Sequence, residues 1–203
     1  GQRQMCIRDR VIVAYSGTDF QLLFDGSDLG LDTEDINAFS LLDDGSILMS
    51  FTSSATIVSL GEVDDSDIVR FVPVGLGDQT MGVFEHYFDG SDVGLSTGNE
   101  DIDSLEVLSD GTILVSTKGT FDVPGAVGFA EDLIAFSPTQ LGATTTGTWS
   151  LHFDGSDVEL SDVASGEEPG HRGGHPGVDP DEAPVVEVRL VSYTHLRAHE
   201  TDS

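Results

Sequence analysis

The amino-acid sequence predicts an all-β fold, and three observations lead to this prediction. The motif Phe-Asp-Gly-Ser-Asp occurs at residues 24–28, 88–92 and 153–157, and a fixed period of this kind indicates a repeat architecture. Alternating side chains precede each motif, which is typical of half-buried strands. Between these segments we find no helical pattern.

One strand is predicted immediately before each copy of the motif. The residues on one face of this strand are Phe20, Leu22 and Phe24 in the first copy, Phe84, His86 and Phe88 in the second, and Trp149, Leu151 and Phe153 in the third. Successive side chains of a strand point to opposite faces. The spacing therefore predicts the same strand three times.

A β-hairpin is predicted after each of the first two motifs. Residues 36–42 and 47–51 flank Asp44-Gly45, and residues 102–108 and 113–117 flank Asp110-Gly111 in the same way. Asp-Gly between two alternating segments is a strong hairpin signal, because glycine accepts the positive φ of a primed turn.

A further strand follows a variable loop in each copy, at residues 67–73 and 132–138. Both segments end in proline, which cannot donate to a strand ladder, so we predict that the proline closes the strand. The sequence therefore predicts two four-stranded antiparallel repeat units, at about residues 29–92 and 93–157, preceded by one extra strand.

Four short strands joined by turns are the layout of a propeller blade. Residues 102–116 resemble the inner strands of β-propeller blades, and residues 88–95, Phe-Asp-Gly-Ser-Asp-Val-Gly-Leu, resemble tandem repeats of that type in large uncharacterised bacterial proteins. The resemblance covers roughly residues 18–160. It implies a propeller-like fold in an extracellular setting, with no activity attached.

Two units are too few for a closed propeller, which takes about four to eight blades. We therefore expect a fragment of a larger propeller. The alternative is a β-sandwich in which the two units stack face to face.

The two ends of the chain break with the repeat. Residues 1–10 and 191–203 resemble translated sequencing-adaptor DNA left on an assembled metagenomic contig, and we exclude them from the fold prediction. The β-repeat array is assigned to residues 11–160. Residues 161–184 are predicted to be a disordered acidic Gly/Pro linker, and residues 185–190 a lone strand or the start of another domain. The natural chain is expected to extend beyond both ends.

The charge of the chain restricts its partners. There are 37 acidic and 8 basic residues, and the net charge is −29. Such a field repels nucleic acid and anionic membrane surfaces, and the sequence holds no apolar run long enough to predict a membrane span. We expect protein or carbohydrate partners, and further blades or a partner chain over the open strand edges.

Acidic residues in and near the repeated turns are the candidate metal ligands. They are Asp25, Asp28, Asp35, Asp89, Asp92, Asp101, Asp103, Asp154 and Asp157. Calcium binds six to eight oxygen atoms, many of them from carboxylates, so calcium is the candidate cofactor. The alternative interpretation is structural, because Asp and Ser hydrogen-bond their own backbone two residues on and favour turns.

No catalytic residue or organic cofactor is predicted, since the sequence lacks a Gly-x-Ser-x-Gly elbow and similar motifs. We expect a non-catalytic scaffold or binding module, extracellular or on the cell surface, that contacts its partner through loops. The alternative function is a fragment of a propeller-type polysaccharide hydrolase or lyase whose active site lies in missing blades.

Overall fold

The computed structural model describes residues 10–15, 19–158 and 160. Over these residues the predicted all-β class is confirmed: the strands form antiparallel sheets of two or four strands, and none of these sheets closes on itself. The described residues include no helix with the length and apolar character needed to cross a bilayer. Our predictions for residues 1–9 and 161–203 lie outside the described part of the chain.

A two-stranded hairpin precedes the first repeat unit. It consists of β1 (Val11–Tyr15) and β2 (Phe20–Asp25), which pair antiparallel. The sequence analysis predicted β2 alone, as one extra strand. It missed β1 because residues 11–14 form a continuous apolar run without the alternation that marks a half-buried strand.

The first repeat unit contains a four-stranded sheet and a small hairpin. Its strands are β3 (Ile36–Leu41), β4 (Ile47–Phe51), β5 (Ala55–Ile57), β6 (Gly61–Val63), β7 (Ile68–Gly75) and β8 (Met81–Phe88). The sheet has the order β3-β4-β7-β8, and β5 pairs only with β6. The four predicted strands of the unit are therefore confirmed.

The second repeat unit has the same arrangement. Its strands are β9 (Ile102–Val107), β10 (Ile113–Thr117), β11 (Phe121–Val123), β12 (Ala126–Gly128), β13 (Leu133–Gln140) and β14 (Thr146–Phe153). The sheet has the order β9-β10-β13-β14. The two small hairpins, β5–β6 and β11–β12, occupy the segments predicted to be variable loops. The sequence does not predict these hairpins, because three-residue strands are too short to show alternation.

The prediction that proline closes the strands at residues 67–73 and 132–138 was wrong. Pro73 and Pro138 lie inside β7 and β13, paired with Gly82 and Gly147 on the neighbouring strands. β4 pairs with β7 only up to Phe71, and β10 pairs with β13 only as far as the equivalent residue. Each proline thus lies where its strand has a neighbour on one side only, so the missing N–H breaks no ladder.

Two apolar cores form between successive layers of the array. The first lies between the β1–β2 hairpin and the first unit, and includes Phe24, Ile47, Met49, Val69 and Phe71. The second lies between the two units, and includes Leu48, Phe88, Ile113, Phe136 and Trp149. The two sheets lie closest at their first strands, β3 and β9. This arrangement is consistent with the predicted blade-like units.

Candidate functional site: the acidic turns between units

The three copies of the repeated motif form three short turns, which we name the first (residues 25–28), second (89–92) and third (154–157) acidic turns. In every copy the first aspartate accepts a hydrogen bond from the hydroxyl group of the serine two residues on, at 2.5 to 2.7 Å. These pairs are Asp25–Ser27, Asp89–Ser91 and Asp154–Ser156. The first aspartate therefore shapes the turn.

The second aspartate of the first acidic turn binds the following unit. The backbone N–H of Thr80, in the loop between β7 and β8, donates to Asp28 Oδ2 at 2.7 Å. In return, the Asp25 N–H donates to Thr80 Oγ1 at 2.9 Å, and this hydroxyl donates to the carbonyl of Gly77 at 2.9 Å. Because Thr80 is 1% exposed, water does not compete for these bonds.

The second acidic turn makes the same contacts with the second unit. Thr145 N–H donates to Asp92 Oδ2 at 2.8 Å, and Asp89 N–H donates to Thr145 Oγ1 at 2.8 Å. The hydroxyl of Thr145 donates to the carbonyl of Gly142 at 3.1 Å. In the described part of the chain no corresponding threonine contacts Asp157 of the third turn.

One further aspartate of each unit, outside the acidic turns, accepts a hydrogen bond from the backbone N–H of the turn glycine. Asp67 Oδ1 accepts from Gly90 N at 3.0 Å, and Asp132 Oδ1 accepts from Gly155 N at 2.9 Å. A Cβ atom at Gly90 would lie 2.3 Å from the Ser66 carbonyl oxygen. Glycine is therefore required at this position by close backbone approach.

The sequence pattern alone does not predict these partners of the turns, although it contains a signal for them. Alignment of the two units at the repeat period superposes Asp67 on Asp132 and Thr80 on Thr145. The pattern does not show which turn each side chain reaches, because the contacts join residues more than 20 positions apart.

These contacts bear on the predicted calcium ligands. The hydrogen bonds of the first two acidic turns use oxygen atoms of Asp25, Asp28, Asp89 and Asp92. Among the described residues, no group of three or more His, Cys, Asp or Glu side chains is arranged to hold a metal ion. The turn interpretation accounts for these four side chains without a cation.

Asp101, another predicted ligand, is buried at the boundary between the units. It is 2% exposed, and its Oδ2 lies 3.3 Å from Lys118 Nζ. Its Oδ1 accepts no hydrogen bond from a described donor. Burial, together with a hydrogen bond to Asp101 and the charge of Asp101, raises the pKa of Asp65 to about 7. The carboxyl groups of Asp65 and Asp101 therefore lie close to each other.

The neighbouring acidic residues have other partners. Asp103 Oδ1 accepts from Ser116 Oγ at 2.5 Å, and burial, with the charge of Asp101 adding to it, raises the pKa of Asp103. The backbone carbonyl of Asp35 accepts from Thr52 N at 3.0 Å.

Glu100, which recurs with the acidic residues of the turns, accepts four hydrogen bonds from protein groups. Ser96 N, Thr97 N and Thr97 Oγ1 donate to its Oε2 at 2.8 to 3.0 Å, and Asp122 N donates to its Oε1 at 3.1 Å. Burial opposes its ionisation, but the backbone N–H groups outweigh burial and lower the pKa of Glu100.

Comparisons of this chain with protein-family models, with curated proteins and with solved structures give no match. The function is therefore argued from the geometry of the repeat units.

Proposed function

We propose that this chain is a non-catalytic β-repeat scaffold of an extracellular or cell-surface protein, and that it contacts protein or carbohydrate through its loops. In this proposal the units belong to an open section of a propeller. The two repeat units supply two blades, and the β1–β2 hairpin supplies the outer hairpin of a third.

The observation that carries the proposal is the use of the repeated acidic side chains. Asp28 and Asp92 each accept a hydrogen bond from the next unit, and Asp67 and Asp132 each hold a turn glycine. A repeated residue that fixes one unit against the next has a structural task in each copy that a further unit follows. This supports a scaffold rather than a single catalytic centre.

The charge of the surface supports neutral or cationic partners. Two basic side chains form ion pairs with acidic neighbours: Arg70 contacts Asp44 and Glu85, and Lys118 contacts Asp101. The remaining excess of carboxylates favours association with basic or neutral groups and disfavours anionic polymers.

The test uses the full 203-residue chain on a biosensor, with chitosan, laminarin and alginate as cationic, neutral and anionic polysaccharide probes. We expect salt-sensitive binding to chitosan, no binding to alginate, and no release of reducing ends from any probe. Reducing ends released above the buffer level would support the hydrolase alternative, and unsaturated products detected by their ultraviolet absorbance would support the lyase alternative. Either result would overturn the non-catalytic assignment.

We also propose calcium as a stabilising ion, with Asp65 and Asp101 as its carboxylate ligands rather than the acidic turns. The buried Asp101 Oδ1 lacks a described donor. Burial raises the pKa of Asp65, and a hydrogen bond to Asp101 and the negative charge of Asp101 add to this effect. A divalent cation would relieve the repulsion between the two carboxylates with the oxygen ligands that calcium prefers.

The calcium proposal is tested by thermal unfolding of the full chain in EGTA and in millimolar calcium. We expect calcium to raise the midpoint, Asp101→Asn to abolish the increase, and the exposed control Asp122→Asn to retain it. No increase in the unmodified chain, together with no heat in isothermal titration, would overturn the proposal.

A further inference from the structure

The third acidic turn has the same local geometry as the first two. Leu160 N donates to the Gly155 carbonyl at 3.0 Å, as Leu31 N does to Gly26 and Leu95 N does to Gly90, both at 2.9 Å. The turn is therefore formed by its own residues, whether or not another unit follows.

The surroundings of the third turn differ from those of the other two. Phe24 and Phe88, the phenylalanines of the first two motifs, are 0% and 1% exposed, whereas Phe153 is 36% exposed. The leucine after the motif shows the same contrast, since Leu95 is 0% exposed and Leu160 is 57% exposed. An apolar surface that is buried at two equivalent positions is open at the third.

The two earlier turns show what covers such a surface. The ring of Phe88 packs edge-on against Phe136 and Trp149 of the following unit, with centroid distances of 5.1 and 6.0 Å. Phe24 packs in the same way against Phe71, at 5.1 Å. In both cases, strands of the following unit bury the phenylalanine.

The polar partner of each turn comes from the same following unit. It is a loop with glycine and, three residues later, threonine: Gly77 and Thr80 at the first turn, Gly142 and Thr145 at the second. We name this loop the Gly-x-x-Thr turn. Its threonine N–H donates to the second aspartate of the acidic turn, and its threonine hydroxyl accepts from the backbone N–H of the first aspartate. The following unit thus makes both the polar and the apolar contacts with the turn.

We propose that the third acidic turn, with Phe153, Val158 and Leu160 beside it, is the docking surface for one further repeat unit that carries a Gly-x-x-Thr turn. Asp157 accepts the threonine N–H of that unit, and aromatic residues of its last two strands cover Phe153. The Gly-x-x-Thr turns at Thr80 and Thr145 are already engaged within the chain. A second copy of the chain therefore has neither turn available for Asp157. The occupant is a following repeat unit whose Gly-x-x-Thr turn is not yet engaged.

This inference deepens the scaffold proposal and rests on it in treating the units as structural elements. The first measurement is amide hydrogen exchange of the unmodified 203-residue chain. We expect the amides of residues 155–160 to exchange at least about tenfold faster than those of residues 90–95, because only the latter are covered by a following unit. Equal protection at the two turns would overturn the inference, since the third turn would then already be covered.

The second measurement adds the missing unit. Residues 96–160 are duplicated directly after Leu160 in the full chain, so that the copy of Thr145 comes into position for Asp157. We expect residues 155–160 to gain at least about tenfold protection. Asp157→Ala should remove this protection in the extended chain, while leaving the unfolding midpoint of the 203-residue chain unchanged.

A matched control is the extended chain with valine in place of threonine in the added copy, which keeps the size of the side chain and removes the hydroxyl. If the extended chain with threonine folds but shows no added protection at residues 155–160, the inference is overturned. If the extended chain does not fold, the comparison of the two turns in the unmodified chain decides. Neither readout depends on polysaccharide binding, so failure of docking and failure of the scaffold function are distinguishable.

Discussion

Thr145 of the second unit donates its backbone N–H to Asp92 Oδ2 at 2.8 Å, across the boundary between the two repeat units. Its hydroxyl accepts from the Asp89 N–H and donates to the carbonyl of Gly142. One buried side chain thus connects the second acidic turn to the loop of the following unit. The stability of the array should depend on contacts of this kind.

Replacing Thr145 with valine tests the polar part of this contact. Thr145→Val keeps the side-chain volume but leaves the half-buried Asp89 N–H without its acceptor, so we expect a loss of about 1–3 kcal/mol in the free energy of unfolding. The measurement is urea denaturation. The control, Thr148→Val at an exposed position of β14, should change stability by less than about 0.5 kcal/mol. Equal effects at the two positions would contradict the role of Thr145.

Replacing Gly90 with alanine tests the close approach of the backbone inside the second acidic turn. The added Cβ would lie 2.3 Å from the Ser66 carbonyl oxygen, and we expect a cost of about 1–3 kcal/mol or more from the forced backbone shift. Gly98→Ala is the control, because a Cβ atom there meets nothing within 4 Å. Thermal unfolding should show a lower midpoint for the first variant alone.

The Asp65–Asp101 pair predicts a pH dependence of stability. The pKa of Asp65 rises from 3.8 to about 7 in the folded chain, so between these values the folded state holds a proton that the unfolded state has released. The contribution of this group to stability therefore falls as pH rises from about 4 to about 7, and is constant above that range.

Urea midpoints measured between pH 4.5 and 8 check this prediction. Asp65→Asn should remove the decline, because the amide does not ionise, while the exposed control Asp43→Asn should retain it. Parallel pH profiles for the unmodified chain and Asp65→Asn would show that Asp65 does not titrate in this range.

Phe88 and Phe153, the equivalent phenylalanines of the second and third motifs, should contribute different amounts to the free energy of unfolding. Phe88 is fully enclosed by the second unit, and Phe88→Ala should cost about 3–5 kcal/mol. Phe153 is partly exposed, and Phe153→Ala should cost less than about 1.5 kcal/mol. Calorimetry of both variants tests this difference, and equal losses would mean that Phe153 is buried in solution.

The sequence carried enough information to predict the strands with clear alternation and their turns. The local pattern and the Asp-Gly signal predict the hairpin of residues 102–108 and 113–117, and the structure has it. The prediction of a primed turn was wrong: Gly111 N donates to the Leu108 carbonyl, so Gly111, with a φ of 87°, takes the left-handed position after the turn in a three-residue loop. The small hairpins were missed because three-residue strands gain their order from packing. The prediction that Pro73 ends its strand was wrong. Pro73 lies inside β7, past the last residue that pairs with β4, and the extent of this pairing is set by the sheet rather than by the local sequence.

For the acidic turns, whether the sequence predicts an interaction depends on how far apart the two interacting residues are in the chain. The repetition is visible by direct comparison of the motif copies, and the alternation and the bond from Ser27 to Asp25 span only a few residues. The sequence by itself determined these features. Only the tertiary structure decided that Asp28 meets Thr80, 52 residues away, and that Asp101 lies buried opposite Asp65. These pairs depend on how whole sheets stack, and no local pattern records the distance between residues on different sheets.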